Sequence, residues 1–336
     1  MFKNLPNYLK SYLFPNIGKF NKNYFFLQFT SMKIVPAFYI IIKNMINKKI
    51  KKNTVVIESS SGNFAYGLAL ICNFLKLKLV IIGDRGIDDD LHNKLKVLNT
   101  KVIIVGNSKT KNIQSLRLKV LNAQLSKHKK NFWPEQYNNP DNINSYKVLK
   151  TFLSKKINLK RIDMLVCAVG SGGSSAGFYE LIKKYNPKIK LVGVDSVNSV
   201  IFGNSLGKRY LRGPGSSIYP QNVKYKLFSK IFWVKDSEAY TVGFNLFKQK
   251  GFNSSPCIGA VHLVSNYLNN KYKNKRILAI FPETGERYFK TMYNMKWLIK
   301  NKLFNNKINK PQKKISVSQD IKKFSYINWN KMILKK

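Results

Sequence analysis

VVIESSSGNFAYGLALICNFLKLKLVII, residues 55–82, decides the fold. It opens on a β-branched run, Val55-Val56-Ile57, and turns through Glu58-Ser59-Ser60-Ser61-Gly62-Asn63. Apolar residues then recur at helical spacing through Phe64, Leu68, Ile71, Cys72 and Leu75, and a second apolar run follows at Leu79–Ile82. Strand, loop, helix, strand is the repeating unit of a mostly parallel α/β sheet. The loop lies beyond the carboxyl end of its strand, where open sheets bind ligands. Its amides and hydroxyls lead into a helix start, a setting that suits an anion.

Working outward, the same unit recurs. Tyr24–Phe29 reads as a strand, closed by Thr30-Ser31-Met32-Lys33, with Pro36 in the first turn of an apolar helix. Residues 1–23 read as irregular. Lys101–Val105 is a strand, Asp88-Asp89-Asp90 opens a helix, and 114–125 is a second helix. Residues 132–146 read as a long loop. Met164–Val169 is apolar at every position, as in a strand covered on both faces, and runs into Gly170-Ser171-Gly172-Gly173-Ser174-Ser175 and a helix. Further strands are expected at 190–195, 231–234 and 276–281, with Asp236 capping one helix and another over 259–268. The last strand ends in Pro282-Glu283-Thr284-Gly285-Glu286-Arg287-Tyr288.

Composition narrows the classes. The chain has 336 residues, 44% of them hydrophobic, enough for a substantial core. Its formal net charge is +45, from 60 basic and 15 acidic residues. Lysine is spread over helices and connections alike, which reads as a solvated surface rather than a nucleic-acid stripe. Cys72, Cys167 and Cys257 are far apart among small or apolar residues, and the three histidines share no ligand spacing. Buried thiols, no metal site and no disulfide framework are expected. No secretory segment or membrane span is evident, so a cytoplasmic protein with no membrane partner is expected.

The chemistry gathers at strand ends. Gly170, Gly172 and Gly173 permit close approach of backbone amides, and Ser171 and Ser174 add hydroxyls, which fits a small phosphate. The loop lacks a Walker lysine and the dinucleotide spacing, and a plain tight turn reads the same way. A lysine at a strand-to-helix junction, a phosphate cradle and an anion-binding turn together suit pyridoxal phosphate and an amino-acid carboxylate.

In this order and spacing the motifs resemble the fold type II pyridoxal-phosphate enzymes, the cysteine synthase and cystathionine β-synthase group. The likeness rests on Ser31-Met32-Lys33, Ser60-Ser61-Gly62-Asn63, Gly170-Ser171-Gly172-Gly173-Ser174, Thr284-Gly285-Glu286-Arg287-Tyr288 and Glu135-Gln136-Tyr137, and spans residues 24–298. Val194–Gly203 and Arg209–Ser217 resemble a siderophore-pathway branch that joins O-phosphoserine to glutamate.

The resemblance implies a tryptophan synthase β-subunit-like fold of two three-layer αβα domains. Residues 33–145 would form the smaller domain and 146–300 the larger. Residues 1–32 would pack on the larger domain, and 301–336 would be a basic extension. It implies pyridoxal 5'-phosphate on Lys33, with Asn63 and Thr284 against the cofactor and Gly170, Ser171, Gly172, Gly173 and Ser174 around its phosphate. Ser60, Ser61, Gly62, Asn63 and Gln136 would hold the substrate carboxylate, and Arg209 a leaving phosphate. The implied reaction is β-replacement on O-phospho-L-serine through enzyme-bound aminoacrylate, with L-glutamate as nucleophile. Cysteine synthesis from O-acetylserine or O-phosphoserine with sulfide, and a catalytically degenerate binding or regulatory relative, are the alternatives. The family also implies small amino-acid substrates and a homodimer. Ile34-Val35 stand where Asp-Arg is usual, Phe64 replaces a threonine, Ala65 a glycine, and Ser255-Pro256-Cys257-Ile258 a glycine-serine turn.

Overall fold

The computed structural model describes residues 5–107, 110, 112–317 and 321–330. In chain order it builds α1 (Asn7–Ser11), β1 (Asn16–Asn21), β2 (Tyr24–Gln28), α2 (Ile34–Ile46), β3 (Val55–Ser59), α3 (Asn63–Phe74), β4 (Lys78–Gly83), α4 (Asp89–Val97), β5 (Thr100–Ile104), α5 (Ile113–Lys127) and β6 (Asn131–Phe132). There follow α6 (Asp141–Asn144), α7 (Lys150–Lys156), β7 (Met164–Ala168), α8 (Gly173–Lys183), β8 (Lys190–Ser196), β9 (Phe228–Val234), α9 (Asp236–Lys250), α10 (Pro256–Lys271), β10 (Ile277–Phe281), α11 (Met295–Lys300), β11 (Gln312–Lys313) and β12 (Ser325–Ile327).

The chain divides into two compact units. One comprises Met1–Leu13 and Ser31–Ser145, the other Phe14–Thr30 and Tyr146–Lys336. The described part of the first thirteen residues thus groups with the smaller unit, against the expectation for 1–32. Only residues 14–30 join the larger unit, because β2 pairs in parallel with β10, Tyr24 opposite Ile277.

The smaller unit holds a four-stranded parallel sheet, β5-β4-β3-β6. Ile57, Val80 and Ile82 pack with Leu121 of α5. The expected loop over 132–146 is not wholly irregular: it contains α6, whose Asp141 takes an ion pair from Lys43 of α2 at 2.6 Å.

The larger unit holds an eight-stranded sheet, β1-β2-β10-β7-β8-β9-β12-β11, parallel from β2 through β9. Met164, Val166, Val192 and Val194 cluster with Ile258, Val261 and Val264 of α10, while alternation turns Leu165 and Cys167 to the opposite face. Both faces are covered, which is why β7 shows no polar alternation. At one edge β1 pairs antiparallel with β2, a hairpin inside the stretch read as irregular. At the other, β12 pairs antiparallel with β9. The late Lys- and Asn-rich segment therefore supplies two short strands, which its composition hides.

Asp236 does not cap α9. Its carboxylate accepts from the Tyr210 and Leu211 backbone N–H groups at 2.7 and 3.0 Å, and Glu238 reaches back to the Lys235 N–H at 2.9 Å. Asp88 does cap α4, accepting from the Leu91 N–H at 2.8 Å.

Tyr326 of β12 stacks on Phe232 of β9, centroids 5.1 Å apart and planes 18° from parallel. Tyr326→Ala should cost about 2–4 kcal/mol in the denaturant-unfolding free energy. A loss below about 0.5 kcal/mol would mean that this edge carries no stability.

Candidate active site

Lys33 sits at the junction of the Thr30–Met32 turn and α2, at the N-cap position of that helix. The Ile34 and Val35 N–H groups donate to Ser31 and Met32 carbonyls at 3.1 and 3.2 Å, which tightens the turn. Ile34, Val35, Ala37, Phe38, Ile40 and Ile41 are buried, so the helix is anchored over most of its circumference. Gly67 of α3 lies against this start. A Cβ there would stand 3.0 Å from the Ile34 Cα and 3.2 Å from the Lys33 carbonyl oxygen. The close approach of α3 thus brings the Lys33 backbone alongside the helix that carries Asn63.

Burial lowers the Lys33 ammonium to about 8, and the charge of Glu58 partly offsets that. A helix N-terminus is also a poor site for a cation. At pH 7 about a tenth of Lys33 is free base, against roughly three parts in ten thousand for an ordinary lysine. That favours a lysine that must act as an amine.

The Ser60–Asn63 turn links β3 to α3. Gly62 is the N-cap and places no side-chain acceptor over the first turn. By contrast, Asp88 on α4, Asn112 on α5 and Ser255 on α10 each place a side-chain acceptor over the first turn. Ser61 Oγ accepts from the Asp84 N–H at 2.9 Å and from Arg117 Nη1 at 2.7 Å. Arg117 also pairs with the Asp84 carboxylate at 3.1 Å. Gln136 is buried, and its amide nitrogen donates to the Ser59 carbonyl at 3.2 Å. The smaller unit therefore gathers Lys33, Ser60, Ser61, Gly62, Asn63 and Gln136.

Sequence reasoning did not select Glu58 or Arg117 as site residues. Glu58 is buried, and burial raises its carboxyl to about 7, against the opposing effect of N–H donors from Ser59, Gln136 and Trp133 and of the Arg117 charge. The available signal for Arg117 was composition. The chain has seven arginines among its 60 basic residues, so an arginine in a helix facing the sheet is a choice for fork geometry over charge alone.

In the larger unit, β7 and β10 are parallel neighbours, so the Gly170–Ser174 loop and Thr284 leave the same edge of the sheet. Gly172, at φ +86°, is the N-cap of α8 and again supplies no side-chain acceptor. A Cβ on Gly172 would stand 2.5 Å from the Asn222 carbonyl carbon and the Val223 nitrogen, and one on Gly170 would overlap the Gly213 carbonyl oxygen. The first helical bond runs from the Ala176 N–H to the Gly172 carbonyl, so the Gly173, Ser174 and Ser175 N–H groups precede it. Tyr146 is fully buried against Phe178 of α8, and its hydroxyl has no partner among the described residues. Burial pushes that phenol up and the Ser174 hydroxyl opposes it. A glycine-lined helix start with two serines and a buried phenol beside one of them fits a phosphate.

Thr284 donates its backbone N–H and its hydroxyl to the Thr30 carbonyl at 3.4 and 3.5 Å. Arg209 does not stand clear. Its charge lowers two carboxylates, buried Asp195 and half-buried Asp236, that burial raises, and its guanidinium lies where a Cβ on Gly215 would go. Among the described residues no cluster of His, Cys, Asp or Glu has a metal-holding arrangement, and no helix is long and apolar enough to cross a membrane.

The family model for pyridoxal-phosphate dependent enzymes matches residues 16–283, and the chain belongs to that family. Among curated relatives, N-(2-amino-2-carboxyethyl)-L-glutamate synthase of Cupriavidus metallidurans is 30% identical over 276 residues, covering 80% of either chain. The protein of that name from Ralstonia nicotianae is 29% identical over 278 residues, with the same coverage. Among solved structures, the O-acetylserine dependent cystathionine beta-synthase of Helicobacter pylori superposes with a TM-score of 0.78 at 22% identity, over 84% of this chain and 96% of that one. O-Acetyl Serine Sulfhydrylase isoform 3 of Entamoeba histolytica does so with a TM-score of 0.78 at 22% identity, over 90% and 97%. The fold is that of the fold type II, tryptophan synthase β-like enzymes. The chain is thus a pyridoxal-phosphate-dependent enzyme, and the chemistry of its group is replacement at the β-carbon of an amino acid.

Two outcomes follow. In cofactor-free protein, Lys33→Met should raise stability by on the order of 1–3 kcal/mol below about pH 8. There the folded wild type carries a buried ammonium. The gain should fade as pH rises from about 8 toward 10.5, where the unfolded lysine also becomes neutral, and thermal melts across that range read it. Gly172→Ala should weaken cofactor binding more than about tenfold, because the left-handed backbone and the Asn222–Val223 contact both resist a methyl group. Titration of the cofactor-free variant with pyridoxal phosphate measures this, and unchanged affinity would separate the loop from the phosphate.

Proposed function

We propose that this enzyme replaces the β-substituent of an O-activated L-serine, O-phospho-L-serine, with an amino-acid nucleophile of the L-glutamate type. The likeness to the two N-(2-amino-2-carboxyethyl)-L-glutamate synthases, across 80% of the chain, carries the reading. Physical support comes from the glycine-capped start of α3, an acceptor-free helix end suited to an α-carboxylate.

When bound, pyridoxal phosphate withdraws electrons from the amino acid's α-carbon and so permits loss of the α-proton and of the β-substituent. Lys33 would hold the cofactor aldehyde through Nζ. Once substrate takes its place, the free amine receives the α-proton, and a pKa near 8 keeps a usable fraction unprotonated. Ser60, Ser61, Gly62, Asn63 and Gln136 would orient the substrate carboxylate, and Asn63 would also face the cofactor ring. Gly170, Ser171, Gly172, Gly173 and Ser174 would hold the cofactor phosphate through N–H and O–H donors. Thr284 would set a hydroxyl rather than a carboxylate beside the pyridine nitrogen, its proton turning from the Thr30 carbonyl to that nitrogen. Arg209 adds positive charge for a departing phosphate.

The test supplies holoenzyme with O-phosphoserine or O-acetylserine and with glutamate or sulfide. It measures released phosphate or acetate and the mass of the amino-acid product. Phosphate release that depends on glutamate, with a product joining the two, is expected. Product only with sulfide would make the enzyme a cysteine synthase. No turnover of any pair, in protein that retains its cofactor, would leave a binding relative.

A further inference from the structure

β6 is two residues long. Asn131 and Phe132 pair with Val55 and Val56 of β3, and the ladder ends there although β3 runs on to Ser59. The sequence explains the stop. Pro134 has no N–H to donate, and Glu135 takes a left-handed φ of +55° that turns the chain away. The next residue, Gln136, is 5% exposed and has a backbone N–H that must find an acceptor.

Glu58 provides it. Its Oε2 accepts from the Gln136 N–H at 3.2 Å, and its Oε1 accepts from the Ser59 N–H at 2.7 Å and from Trp133 Nε1 at 3.3 Å. Gln136 returns the contact, donating its side-chain amide to the Ser59 carbonyl at 3.2 Å, and Asn142 Nδ2 donates to the Gln136 carbonyl at 2.6 Å. The result is a closed ring through Glu58, Gln136 and Ser59. It holds one residue against the end of β3, next to the Ser60–Asn63 turn. Glu58 is 1% exposed, and a leucine would pack at such a site without the desolvation cost of a carboxylate. A carboxylate alone can accept from all three N–H groups at once.

We propose that Glu58 is a positioning residue for substrate binding: it stands in for the missing strand partner and fixes Gln136 beside the carboxylate turn. The inference rests on the reading of Gln136 and Ser60–Asn63 as the wall that receives the substrate carboxylate. Glu58 itself touches neither substrate nor cofactor in this role.

Glu58→Gln keeps the shape but sets an N–H against at least one of the three donors. In holoenzyme it should weaken binding of L-serine about tenfold, read from the absorbance change of the bound cofactor, while cofactor content and melting temperature stay close to wild type. KM for the donor should rise by a similar factor, with kcat within about threefold. Gln136→Ala should produce a loss of the same size, and the double variant should be no worse than either alone. Trp133→Phe, which removes one donor from Oε1, is the second probe. It should weaken serine binding a few-fold in wild type and not at all in the Gln136→Ala background. Wild-type serine affinity in Glu58→Gln, or additive losses in the double variant, would overturn the proposal. Serine binding does not depend on which donor or nucleophile turns over. Failure of O-phosphoserine as substrate would therefore count against the proposed function and leave this inference standing.

Discussion

A helix whose N-cap is glycine has no side chain to accept its first N–H groups, and those groups must be met by something else. In this chain Asp88, Asn112 and Ser255 close α4, α5 and α10, while Gly62 and Gly172 leave α3 and α8 without a side-chain cap. Both glycine starts follow directly on central parallel strands, β3 and β7. Much of the surrounding architecture serves to keep these starts in place. Gly67 lets α3 press against the first turn of α2, and Gly170 and Gly172 let the Gly170–Ser174 loop sit directly on the Gly213 and Asn222 backbone.

The buried charges of the smaller unit form a second layer. Lys33 is pushed toward the free amine by burial, and Glu58 holds part of that push back. Glu58 is itself pushed toward the acid by burial and restrained by three N–H donors and by Arg117. Arg117 is tied to Asp84 and to the Ser61 hydroxyl. The usual Asp-Arg after the lysine is absent here, and Ile34 and Val35 are buried in the core instead. The charge felt by Lys33 comes from β3, a different element. Such a set holds the turn residues by geometry, since a buried ion that loses its partner is strongly disfavoured.

The larger unit shows how a chain with a formal charge of +45 still folds around an ordinary core. Its lysines sit on helices and connections at the surface, and β7 and β10 are apolar because both faces of the sheet are covered. The same bias hides structure. β11 and β12 lie in a stretch dominated by lysine and asparagine, and only the stacking of Tyr326 on Phe232 reveals why it is held to the sheet.

The central strands, the helices after them and four of the motif loops were legible in the sequence, since local patterning carries them. Period-two and period-3.6 apolar spacing and glycine-serine turns are properties of neighbouring residues. The β1–β2 hairpin was not legible, because Asn16–Asn21 is mostly polar at an exposed sheet edge and gains its order from pairing. Asp236 was misread for a related reason: its partners, Tyr210 and Leu211, lie some 25 residues away. By itself the sequence determined an α/β chain, a lysine at a strand-to-helix junction and two serine-glycine turns between a strand and a helix. Only the tertiary structure decided that Glu58 replaces a strand neighbour for Gln136, that Arg117 reaches Ser61, and that Arg209 acts on Asp195 and Asp236. Those outcomes depend on which long-range donors and acceptors burial leaves without water, and no local pattern encodes that.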